Sequence, residues 1–128
     1  MASIEDGIKA QLESQVAALI NKVFNSAEVP QNIQGDYCVY QRVGTQRFPT
    51  LTEQGSKQPT FQFSVYSDTY DGMITLRDAV RGAFEDRVGQ YTSGAPTVQV
   101  TNILNEFESY DDNIDRSVGI LEITYFYN

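Results

Sequence analysis

The densest run of potential ligand side chains is Asp111-Asp112-Asn113-Ile114-Asp115, with Glu122 downstream. Counted from Asp111, oxygen ligands fall at the first, third, fifth and twelfth positions, the spacing of a calcium loop. The sixth position, where the tight turn requires glycine, is Arg116, and both flanks read as strands, not the helices such a loop requires. The run therefore reads as a polar hairpin tip, with cation binding as the rival. Other chemistry is scarce. The chain contains no histidine, which removes the commonest general base and the Ser-His and Cys-His nucleophile pairs. No GxxxxGK, GxGxxG, CxxC, HExxH or SxxK spacing occurs. The pair Asp68 and Asp71 is explained by helix capping. We therefore expect no enzyme, no catalytic or cofactor-binding residues, no cofactor and no metal.

Charge narrows the partners. The net charge is −8, the opposite of what a free-standing nucleic-acid or anionic-membrane binder needs, and the nine basic residues are scattered. An acidic surface suits DNA that must slide past without adhering. The single cysteine, Cys38, excludes an intrachain disulfide. It lies in the apolar stretch Tyr37-Cys38-Val39-Tyr40, as a buried, inert thiol would. The longest apolar run, Val16 to Ile20, is too short to span a bilayer, and no signal peptide is visible, which predicts a soluble protein made in a reducing cytoplasm with no membrane partner.

The elements that must position these residues begin with a helix expected from Ile4 to Phe24, capped by Ser3, with Glu5 and Asp6 at its start and Lys22 at its end. Its apolar stripe is Ile4, Ile8, Leu12, Val16, Leu19, Ile20 and Val23. A strand follows from Asp36 to Val43. The sixteen residues from Gly44 to Pro59 read as a loop punctuated by Gly44, Pro49, Gly55 and Pro59, long for a link between neighbouring strands. It holds a basic and aromatic cluster, Arg47, Phe48 and Lys57, which we single out as a partner contact.

The clearest pattern is the change of period within FQFSVYSDTYDGMITLRDAVRGAF. Phe61, Phe63 and Val65 share a strand face, Asp68 stands at the N-cap position, and Met73, Leu76, Val80 and Ala83, flanked by Phe84, draw a helical stripe. A connector from Gly89 to Pro96 leads to two further strands. In the first, Thr97 to Tyr110, alternation is imperfect: Val98, Val100 and Leu104 oppose Ile103, Asn105 and Phe107. In the second, Val118 to Tyr127, Leu121, Ile123, Tyr125 and Tyr127 oppose Ile120, Glu122, Thr124 and Phe126. The expected fold is a single α+β domain over residues 1–128. It has two layers, in the order α-β-β-α-β-β, with a four-stranded sheet and both helices on one face. The apolar character of Tyr125, Phe126 and Tyr127 on both strand faces marks them as candidates for burial against a neighbouring subunit.

The strand YCVYQRV, the long loop, the strand-helix unit and the closing LEITYFYN resemble the tail-completion or tail-terminator proteins of long-tailed bacteriophages. The resemblance runs from about Tyr37 to Tyr127, and the N-terminal helix also accords with that family. Asp36 stands where the family often has proline, and the connector before the third strand lacks a distinctive sequence. These departures leave tail terminator, head-closure protein and other neck component open as branches. The resemblance implies a structural virion protein made in the host cytoplasm and located in the tail or neck. There it would form a ring of its own copies, a hexamer, that ends tail-tube growth and joins tail to head. The implied partners are the tail tube protein and head-tail connector proteins, with DNA passing through unbound. The alternative from another class is a small intracellular cation-binding module.

Overall fold

The computed structural model describes residues 3–25, 35–48, 56–85, 87–111 and 116–127. Helix α1 (Ile4–Gln15) opens with Ser3 as its N-cap. The Ser3 hydroxyl accepts from the Asp6 N–H, and the Asp6 carboxylate accepts from the Ser3 N–H, so both ends of a capping box are made. The helix ends nine residues before the expected Phe24. A short 3-10 turn, Ala17–Leu19, and strand β1 (Val23–Asn25) replace its last turns. Asn21 takes a left-handed conformation at φ 61°, which asparagine tolerates best among residues with a side chain. Glu13 accepts the Asn21 N–H at 2.9 Å, and the Lys22 carbonyl accepts from Cys38 at 2.9 Å. Sheet hydrogen bonds, with the β-branched Ile20 and Val23 flanking the left-handed Asn21, outweigh the helical spacing. Leu19 and Val23 remain in the core as expected, whereas Ile20 is turned outward.

Strands β2 (Tyr37–Phe48) and β3 (Ser56–Ser67) pair antiparallel almost to their ends. The ladder runs through the segment expected to be a loop. It does so because a bulge between Arg42 and Gly44 shifts the register, bringing Thr45 opposite Pro59, Arg47 opposite Lys57 and Phe48 opposite Ser56. The middle of that expected loop, 49–55, lies outside the described residues. Helix α2 (Tyr70–Phe84) is capped by Thr69, not Asp68: the Thr69 hydroxyl accepts the Gly72 N–H at 3.0 Å. Asp68 pairs instead with Arg116 at 3.2 Å.

The expected strand from Thr97 is divided. Strands β4 (Gly89–Gln90) and β5 (Thr97–Val98) form a two-stranded sheet of their own. Gln99 then donates to the Phe126 carbonyl at 2.8 Å, and strands β6 (Val100–Asp111) and β7 (Arg116–Phe126) complete the main sheet, whose order is β1-β2-β3-β7-β6. Among the described residues the architecture is therefore two helices and seven strands in sheets of five and two, which corrects the four-stranded α-β-β-α-β-β expectation. The extra strands are two or three residues long, too short to leave a periodic trace in sequence.

One face of the main sheet carries Cys38, Tyr40, Phe61, Phe63, Val65, Leu121, Ile123 and Tyr125. They pack with Ile4, Ile8 and Leu12 of α1 and Met73, Leu76, Val80 and Phe84 of α2 in a single core. An aromatic cluster sits at its centre, with the Phe84 ring 5.4 Å from both Phe63 and Tyr125. Gly119 on β7 allows α2 to lie close, since a Cβ there would stand 2.6 Å from the Met73 sulfur and 3.2 Å from Arg77 Cδ. No described helix is long and apolar enough to cross a membrane.

Candidate interaction surface

Interest falls on the parts of the sheet that its own helices leave uncovered. The face opposite the core is set by register: Val39, Ser64, Ile120 and Phe107 form one row, and Gln41, Gln62, Glu122 and Asn105 the next. Toward one end of this face lies a concavity of about 420 Å³ lined by Val43, Thr60, Asn102, Leu104, Thr124 and Phe126. Its floor is held by a hydroxyl pair between Thr60 and Thr124 at 2.8 Å.

Strand β6 forms one margin of the sheet. Val100, Leu104, Phe107 and Tyr110 on it are 51%, 49%, 43% and 53% exposed, half of the large apolar side chains that stand open among the described residues. Its inner side is fastened to α2 by charge. Arg81 pairs with Glu106 at 2.8 Å, and Arg77 reaches Glu108 and the Phe107 carbonyl, both at 3.4 Å. The Tyr70 hydroxyl donates to Glu108 at 2.8 Å, and this bond raises the tyrosine's pKa. Arg77 is nearly buried between α2 and β6, where its guanidinium fixes the helix-to-strand distance. At the other margin, among the described residues, β1 pairs with β2 at Cys38, Val39 and Tyr40. Beyond that point Gln41, Arg42, Val43 and Gly44 are all exposed. Arg42 lies over the Phe61 ring at 5.3 Å and meets Glu5 of α1 at 3.0 Å.

The residues singled out from sequence fall in three places. Arg47, Phe48 and Lys57 stand on the β2–β3 ladder, not in a free loop. Tyr125 is fully buried among Phe61, Phe84 and Tyr91, and Tyr127 is also in the core. Phe126 is half-buried and points to the open concavity. Sequence reading missed the margin formed by β6. The available signal was the broken alternation of Thr97 to Tyr110, with apolar residues on both faces.

The other chemical candidates resolve structurally. Most of the Asp111–Asp115 run, 112–115, lies outside the described residues; on either side Asp111 pairs with Arg116 in a β6–β7 hairpin. Arg116 donates to the Gly35 carbonyl at 2.6 Å and stands 5.6 Å from the Tyr37 ring centre. Among the described residues no group of three or more His, Cys, Asp or Glu is placed to hold a metal ion. Cys38 is free and fully buried, and burial pushes its thiol up to about 12.

No family profile and no curated protein matches the sequence. Among solved structures, a chain from the virion of a native gene transfer agent (GTA) particle shares the fold at a TM-score of 0.60, over 94% of each chain, with 15% identical residues. The class so defined is an α+β fold common to this chain and to a component of that phage-like particle.

Proposed function

We propose that the protein is a non-enzymatic structural component of a phage-like virion. In this reading it forms a ring of its own copies, six by analogy, at the head-proximal end of the tail. The ring ends tube growth and joins tail to head, and its partners are the tail tube protein and the connector proteins. The observation that carries this reading is the full-length fold likeness to a chain of a GTA virion, which agrees with the independent resemblance of the YCVYQRV, FQFSVYSDTYDGMITLRDAVRGAF and LEITYFYN segments to tail terminators. The net charge of −8, multiplied around a ring, suits a channel through which DNA moves without adhering. The Arg47, Phe48 and Lys57 end of the β2–β3 ladder is the proposed contact with the tube or lumen, and Phe126 the proposed contact with a neighbouring subunit. A head-closure role elsewhere in the neck is the alternative within the same class.

Cryo-microscopy of purified particles tests the proposal directly. A ring of this chain between tube and connector is the expected result. A head-closure protein would instead sit on the connector side, away from the tube. Absence from particles, together with a single-chain mass by light scattering at high concentration, would overturn both.

A further inference from the structure

We infer that the concavity on the sheet face opposite the helices is where the next copy of this chain seats, held by two residues that β-bulges add to that face, Val43 and Leu104. This rests on the ring reading above and specifies its contact. The register shifts between Arg42 and Gly44 on β2 and between Ile103 and Asn105 on β6, so Val43 and Leu104 have no residue opposite them. An extra residue of this kind re-aims a side chain, and such bulges recur beside functional sites. Strands β2 and β6 are separated by β3 and β7, yet both extra residues line the same concavity, where they are 45% and 49% exposed. Phe126 and the Thr60–Thr124 hydroxyl pair complete it. Its volume of about 420 Å³ suits a few side chains of a protein surface.

Charge selects the occupant. The polar residues lining the concavity are Gln58, Thr60, Asn102 and Thr124, all uncharged. In the adjoining row of Gln41, Gln62, Glu122 and Asn105, Glu122 alone is charged, and its carboxylate accepts from Asn105 at 3.2 Å. On the helix side, by contrast, Asp6, Asp71, Asp78 and Glu85 are exposed. A partner of opposite charge would be met by those acids, and nucleic acid would need cations that these rows lack. A face stripped of charge serves a partner of the same sign, and a second copy at −8 is such a partner. Charge depletion around aliphatic and aromatic side chains is also the composition of the buried centre of a protein–protein contact. In a ring the contact is heterologous, so the concavity meets a different surface of the next copy and every copy contributes one filled concavity.

The test uses the full chain. Val43→Glu and Leu104→Glu each place an acid beside the concavity at an exposed position, and far-UV circular dichroism with a thermal melt checks folding. Assembly is read as sedimentation mass and as density of the chain in purified particles. Wild type is expected to assemble, and each glutamate variant is expected to fall to single-chain mass and be lost from particles. A second measurement stands if a glutamate variant fails to fold. Leu104→Cys carries the one reactive thiol, since Cys38 is fully buried; it is coupled to benzophenone maleimide and irradiated after assembly. A covalent product of two copies of this chain is expected. Adducts with another virion chain instead, no adduct from assembled protein, or glutamate variants that assemble like wild type would overturn the concavity as the contact between copies while leaving the ring intact. A wild-type chain that neither assembles nor enters particles would overturn the ring itself.

Discussion

Adding one methyl group at Gly119 tests how α2 is seated on the sheet. In Gly119→Ala the new Cβ would lie 2.6 Å from Met73 Sδ, 3.0 Å from Val65 Cγ2 and 3.2 Å from Arg77 Cδ. Met73 and Val65 are fully buried, and Arg77 is tied to Glu108 and the Phe107 carbonyl, so none of the three moves without disturbing the core or the β6 fastening. Overpacking of this kind costs about 1–3 kcal/mol, against a gain of about 0.5–1 kcal/mol from replacing glycine within a regular element. The net expectation is a loss of about 1–2 kcal/mol. In a domain of this size each kcal/mol moves the melting temperature by roughly 3–5 °C. The control is Gly82→Ala on the exposed side of α2, where a Cβ would meet nothing within 4 Å. Helix propensity alone should raise stability there by about 0.5–1 kcal/mol. Urea unfolding with an unchanged m-value, followed by fluorescence and circular dichroism, measures both. A Gly119→Ala protein as stable as wild type would refute the seating of α2 against β7 described above.

The remaining expectations concern a cap, a thiol and a buried phenol. Thr69→Ala removes the acceptor for the Gly72 N–H and should cost about 1 kcal/mol by the same unfolding assay; Asp68→Ala should cost less, since Asp68 pairs with Arg116 at the surface. Cys38 should resist a thiol reagent at neutral pH until the protein unfolds, because burial raises its pKa to about 12. Since the folded thiol holds its proton longer than the unfolded one, its contribution is fully present below about pH 8.5 and is lost as pH rises toward about 12. Stability should therefore fall steadily above about pH 9, and less steeply in Cys38→Ala. Tyr125→Phe should leave the melting temperature unchanged or raise it, because the buried hydroxyl has no hydrogen-bond partner among the described residues; a large loss would reveal a partner for it.

Sequence periodicity located the parts that depend on near neighbours. The Ser3 cap, the strand face of Phe61, Phe63 and Val65, the α2 stripe and the inward set Leu121, Ile123 and Tyr125 all follow from local spacing, because burial of one face imposes its period on the chain. The elements misread were those that long-range hydrogen bonds decide. Val16 to Val23 carries a helical spacing, yet Lys22 and Val23 are claimed by the edge of β2. Gly44 to Pro59 looks like a loop, yet a bulge lets it continue as a ladder. The margins of the sheet could not be read in advance, since an edge exists only once strand order is known. By itself the sequence established the acidic charge, the lack of histidine chemistry and the core stripes, all properties of residue type and spacing. Tertiary structure alone decided which strands are interior and which lie open, because that depends on pairings between residues far apart in the chain.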